Sequence, residues 1–255
     1  MRRWLPVGSG QTSPDGSSYA YSVSGESSSD STQVHVVTVA TGADHVLTVN
    51  PPLQGAAVGW AVGDYDGRYV YLLGEQVENF PGGVWRLNAT TGSIDQVSQV
   101  PEILLLQGGY AWVGTVNPAD PSPPLPPRSG RGFDSIVQVN LSTGARTTWI
   151  YRTGDDISLV GLDHAGHPIV SIAPGPDYDV SHGTELLVTT PGGAGTQISS
   201  GALSLFQMQP DVGRIWFGTG AGIYMWTAAA GVQKMFAFPG SPTNGQSIMP
   251  AGHCV

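Results

Sequence analysis

Short runs in which apolar and polar residues alternate, or in which a few apolar residues follow one another, are punctuated along the whole chain by clusters of Gly, Asp, Asn and Pro. The stretch from Ser13 to Val49 shows the pattern most fully: SPDGSSYAYSV, a polar loop, then QVHVVTVATGADHVLTV. Alternation over such short spans predicts half-buried β-strands. Degraded copies follow to the end of the chain.

Each copy reads as strand A, a turn ending in Gly, strand B, a variable loop, strand C, a second turn ending in Gly, and strand D. The first turn recurs as Asp15-Gly16, Asp66-Gly67, Gly108-Gly109, Ala165-Gly166 and Val212-Gly213, and the second as Thr41-Gly42, Thr91-Gly92, Thr143-Gly144, Gly192-Gly193 and Ala230-Gly231. The period of roughly 40–55 residues sits near that of propeller blades. The A strands include AAVGWAV, ILLLQ, ISLVGL and LSLFQM. Tyr69 to Leu73, Tyr110 to Val113, Pro168 to Ile172 and Arg214 to Phe217 read as B strands. Val34 to Val39, Val84 to Leu87, Ile136 to Val139, Leu186 to Val188 and Ile223 to Trp226 read as C strands. Aromatics at equivalent places in different repeats predict packing between adjacent sheets, with the tryptophans in the core.

The predicted fold is therefore all-β: a β-propeller of four-stranded antiparallel blades forming one domain over residues 1–255. Its repeats fall at approximately 7–50, 56–100, 103–152, 156–200 and 203–239. Residues 2–6 and 248–255 occupy the places of a last D strand and a following A strand, so the two ends are expected to share a partial sixth blade that covers open sheet edges. An N-terminally shortened six-bladed protein would show the same pattern.

Ser13-Pro14-Asp15-Gly16, followed by YAY and VHVVTVATG, resembles the Pro-Asp repeat of WD40-like propellers of the TolB type. Later turns read DYDG, LQGG, DHAG and QPDVG, so the motif covers one blade while the period covers nearly all of the chain. With its NPADP loop and DHAGHP turn the sequence is also similar to bacterial propellers without assigned activity. The resemblance implies a binding platform that recruits proteins or gates an attached enzyme domain.

Composition narrows the partners. Only 11% of residues are charged and the formal net charge is −9, with Lys234 the only lysine. No basic stripe exists to neutralise phosphates, so nucleic acid is not expected as a partner. Membrane insertion is not expected either, since no apolar run approaches the ~20 residues of a spanning helix. Cys254 is the only cysteine, which precludes an intrachain disulfide and a cysteine-rich metal site. Met1-Arg2-Arg3 and WLPV resemble the start of a signal peptide, but Gly8-Ser9-Gly10 breaks the apolar run short of the ~7–15 residues required. Few lysines and many Ser, Thr and Gly still suit an extracytoplasmic or secreted, monomeric protein.

Propeller topology would place A–B and C–D turns on one face and B–C loops and D–A connections on the other. Asp163, His164 and His167 then belong to the face opposite Asp177, Tyr178, Asp179 and His182. Neither group has metal-site spacing, and each reads as a polar turn or loop. Asp64-Tyr65-Asp66-Gly67 begins like a calcium loop but lacks the downstream acidic ligand and reads as a hairpin turn. The longest insertion, Asn117 to Phe133, carries six prolines and favours an extended path that covers or spaces the B–C face. Glu75, Glu78, Arg128, Arg131, Arg152, Asp155 and Asp156 share that face. With Asp177, Tyr178, Asp179 and His182 they are the candidate binding residues, for a protein or glycan ligand.

No GxSxG, HExxH or phosphate-loop motif is present. Asn88-Ala89-Thr90 and Asn140-Leu141-Ser142 match glycosylation sequons but occupy equivalent C–D turns. The function expected is thus a non-catalytic binding or scaffold module without a cofactor, acting through the B–C/D–A face. The alternatives are a propeller-type metal-dependent lactonase or hydrolase with a channel site, and a truncated propeller without independent activity. The apolar A strands, poor in oxygen ligands, disfavour the metalloenzyme.

Overall fold

A computed structural model describes residues 5, 7, 9–23, 31–49, 60–74, 83–99, 103–116, 133–174, 183–200, 208–211, 213–219 and 222–237. Among these, nineteen strands form five antiparallel sheets. The first holds β1 (Ser18–Val23), β2 (Thr32–Thr38) and β3 (Asp44–Val49). The second holds β4 (Trp60–Tyr65), β5 (Tyr69–Gly74), β6 (Val84–Asn88) and β7 (Ile94–Ser98). The third holds β8 (Ile103–Gln107), β9 (Tyr110–Thr115), β10 (Ser135–Asn140) and β11 (Arg146–Tyr151). The fourth holds β12 (Asp155–Leu162), β13 (Pro168–Pro174), β14 (Thr184–Leu187) and β15 (Thr196–Ser200). The fifth holds β16 (Met208–Asp211), β17 (Arg214–Thr219), β18 (Gly222–Thr227) and β19 (Gly231–Ala237). In every sheet the strands lie side by side in sequence order.

The turn glycines explain this regularity. Each of the ten predicted turns has a glycine at positive φ, from 61° at Gly108 to 89° at Gly67. At Gly108-Gly109 both central residues of a two-residue hairpin are left-handed (φ 61° and 78°), a pairing that matches strand twist and penalises any residue with a Cβ. Polar side chains complete the turns. Asn88 Oδ1 accepts the Thr90 and Thr91 N–H groups, each at 2.9 Å, and Asn140 Oδ1 accepts those of Ser142 and Thr143 at 2.9 and 3.0 Å. The sequon asparagines are therefore built into their turns.

Three expectations are corrected. Among the described residues the first sheet has three strands: where its A strand is expected, Ser9–Gln11 forms a 3-10 turn and a Thr12–Tyr19 bridge joins β1. The segment GSGQTSP has no alternating apolar residues to pair, and Gly10 lies so close to the Gly63 carbonyl that a Cβ there would stand 3.2 Å from it. Asp64 and Tyr65 belong to β4, leaving Asp66-Gly67 as the turn. In the fourth sheet the C strand begins at Thr184 and so includes Glu185. The proposed terminal strands lie outside the described residues, apart from Leu5, which is not in a strand.

The chain divides into two compact units, one comprising Met1–Val113, Val139–Ala145 and His253–Val255, the other Gly114–Gln138 and Arg146–Gly252. In the first, Ala20, Val34 and Val49 of the first sheet pack against Trp60, Val62, Val70, Leu72 and Leu87 of the second. In the second, Ile169, Leu187 and Ile198 pack against Ile215, Phe217 and Trp226. Trp60, Trp112, Trp149 and Trp226 are all buried, as expected of core residues. Gly114 admits the Phe133 ring, whose atoms would lie 2.3–2.5 Å from a Cβ at that position. Sheet-to-sheet packing is thus set by apolar faces and by glycines where neighbours approach closely.

Candidate functional site

Of the candidate binding residues, Arg152, Asp155 and Asp156 lie among the described residues, on the connection between β11 and β12. Arg152 is exposed, and its N–H donates to the Asp134 carbonyl at 2.9 Å, which fixes its backbone while leaving the side chain at the surface. Asp155 opens β12 opposite Pro174 and is half-buried. Asp156 has a structural bond: its Oδ1 accepts the Phe133 N–H at 3.1 Å, beside the Ile157 N–H to Phe133 carbonyl bond of 2.7 Å. Burial raises the Asp156 carboxyl above its ordinary pKa, with the Phe133 bond opposing the shift. Asp156 therefore anchors the residue at which the proline-rich insertion rejoins the fold. Glu75, Glu78, Arg128, Arg131, Asp177, Tyr178, Asp179 and His182 lie outside the described residues.

At the opposite ends of the strands, the turn after β12 places Asp163 and His167 together. Asp163 Oδ1 accepts the Ala165 and His167 N–H groups at 2.9 and 2.8 Å, while Oδ2 lies 2.9 Å from His167 Nδ1. The carboxylate thus closes its own turn. A second His–Asp pair, His35 Nδ1 to Asp44 Oδ2 at 2.8 Å, joins β2 to β3, with the His35 ring stacked on Tyr21 at 4.6 Å. No cluster of three or more His, Cys, Asp or Glu side chains able to hold a metal occurs among the described residues.

The second sheet carries the densest polar network. Asp66 accepts the Arg68 and Tyr69 N–H groups at 2.8 and 2.6 Å and the Tyr71 hydroxyl at 3.2 Å. Burial, then the charge of Asp66, pushes the Tyr71 phenol up to about 12. Arg86 makes a two-point pair with Asp95 (2.9 and 3.3 Å) and shares the Tyr69 ring with Arg68, the guanidinium carbons standing 4.7 and 4.9 Å from its centroid. Tyr71, Arg86, Asn140 and Ser142 border a cleft of about 260 Å³. Each of these side chains already engages a protein group. Its chemistry is that of internal packing.

Three buried carboxylates, Asp64, Asp134 and Glu185, were not expected from the sequence. Asp64 Oδ2 accepts the Gly109 N–H at 3.2 Å, and Glu185 Oε2 accepts the Ser199 hydroxyl at 2.7 Å. The available signal was positional: Glu185 stands in a strand register with Ser171 and Ser199, and only the strand pairing reveals that row.

No protein-family model matches the chain, and none of the curated proteins matches it. Among solved structures it is similar to a prolyl endopeptidase, with a TM-score of 0.56 and 12% identity over 92% of this chain and 35% of that one. It is also similar to Pyrococcus horikoshii acylaminoacyl peptidase, with a TM-score of 0.54 and 14% identity over 89% of this chain and 38% of that one. The chain thus spans little more than a third of the length of these peptidases. At such identity the likeness concerns the fold, and it supports β-propeller character for the five sheets.

Proposed function

We propose that the five sheets are blades of a WD40-like propeller of the TolB type, with a partial sixth blade drawn from the ends of the chain. In this reading it is a non-catalytic binding or scaffold module that engages a protein or glycan through the face of its B–C loops and D–A connections. One observation carries it: the turns at one end of the strands run from two residues (108–109) to eight (188–195), whereas the connections at the other run from two (220–221) to nineteen (116–134). Variable connections on a regular scaffold are where recognition is ordinarily placed. The exposed Arg152 and neighbouring Asp155 stand on that face.

A peptidase-like hydrolase is the second reading, favoured by the fold of the two peptidases; a metal-dependent lactonase has no comparable observation behind it. One experiment separates binding from hydrolysis. Immobilised chain is used for capture and glycan-array binding beside an Arg152→Glu/Asp155→Arg variant and an Arg146→Glu control at the opposite strand ends. A ligand lost with the double variant and kept with the control is the expected result. Loss with the control alone would put the surface on the other face. Heat-sensitive labelling of the chain by a fluorophosphonate would establish an activated serine and overturn the non-catalytic reading.

A further inference from the structure

A cleft of about 300 Å³ opens in the second unit, between the turn after β12 and strands β14, β17 and β18. Its floor is Leu187, Ile215 and Trp226, all buried members of one apolar cluster. An indole and two branched aliphatic side chains at the base of an open cleft favour an apolar group that displaces water from them. The rim is polar: Arg214 and His164, both exposed, stand beside Asp163. Asp163 directs both oxygens into hydrogen bonds with its own turn and with His167. Arg214 opens β17 directly after Gly213, whose φ of 68° fixes the turn. Arg214 already engages the protein, and its guanidinium carries five N–H donors in a planar fork that matches a carboxylate.

We propose that this cleft binds a small carboxylate bearing one aromatic or branched apolar group. The apolar group rests on Leu187, Ile215 and Trp226, and the carboxylate meets the Arg214 guanidinium at the rim, with His164 adding a ring N–H. The volume lies at the lower bound for ligand pockets, which suits one such group. This site is at the strand ends opposite Arg152 and Asp155, so it stands or falls independently of recognition by that face.

The test is calorimetric titration of the full chain with phenylacetate and with its neutral isostere phenylacetamide. Phenylacetate is expected to bind, phenylacetamide about tenfold more weakly or worse, since it forfeits the charge-assisted bonds. Arg214→Gln, an exposed position whose folding is checked by circular dichroism, should remove the preference for the acid. Ala228→Trp at the rim should block both compounds, whereas Arg146→Gln should change neither. Absence of phenylacetate binding to the wild-type chain, equal affinity for acid and amide, or unaltered discrimination in Arg214→Gln would each overturn the proposal. The first two outcomes need no variant to fold.

Discussion

The Asp64 carboxylate accepts the Gly109 backbone N–H at 3.2 Å, joining the second sheet to the β8–β9 turn of the third. Asp64 is buried, and burial pushes its carboxyl up to about 6 from an ordinary 3.8, against the opposing Gly109 bond and with help from the nearby Asp66 charge. Because the folded chain holds this proton more tightly than the unfolded chain, the associated stability is full below about pH 3.8 and lost as pH rises through 6. Tm should therefore fall between pH 5 and 7.5, and urea melts should show stability dropping by about 1–2 kcal/mol over the same range. Asp64→Asn, which keeps a carbonyl for Gly109, should flatten that slope.

Glu185 offers a second test of the same sign. Burial raises its carboxyl and the Ser199 hydroxyl bond lowers it, leaving a net upward shift. Glu185→Gln should stabilise the fold at pH 7.5 by about 1 kcal/mol, with the advantage shrinking toward pH 4. Ser199→Ala should destabilise by about 1–3 kcal/mol at neutral pH, because it strips the carboxylate of its bond. Urea titrations at the two pH values measure both.

Gly114→Ala should cost about 1–3 kcal/mol, since the new methyl would overlap the Phe133 ring. Phe133→Leu should recover part of that loss. A double-mutant cycle in denaturant should give a coupling of at least 0.5 kcal/mol between them.

Asn88→Ala and Asn140→Ala should each cost about 1 kcal/mol, as each removes an oxygen that serves two turn N–H groups. The Asp replacements, which keep the acceptor, should come close to wild type in Tm.

The sequence made the strand order readable because turn chemistry is local. Asp15-Gly16, Thr41-Gly42 and their counterparts announce hairpins without reference to any other part of the chain, and the B and C strands follow from alternation between them. Burial is not local. Asp64 and Glu185 look like surface residues until Gly109 and Ser199 are brought beside them by another turn or strand. The three-stranded first sheet has the same cause: the period alone places a strand ahead of Asp15-Gly16, whereas pairing requires side chains that pack, and GSGQTSP offers none in alternation. The Arg214 cleft has no motif at all; its floor and rim come from three strands and a turn widely separated in sequence.

Every strand in these sheets pairs with its predecessor or successor in sequence. Each hairpin can consequently close once its second strand has left the ribosome, with no wait for a distant segment to be made. Loop-closure entropy is paid in small instalments, and unpaired apolar edges are exposed only briefly during synthesis. A chain of this connectivity can assemble from its N-terminal end forward, sheet by sheet, at the pace of translation.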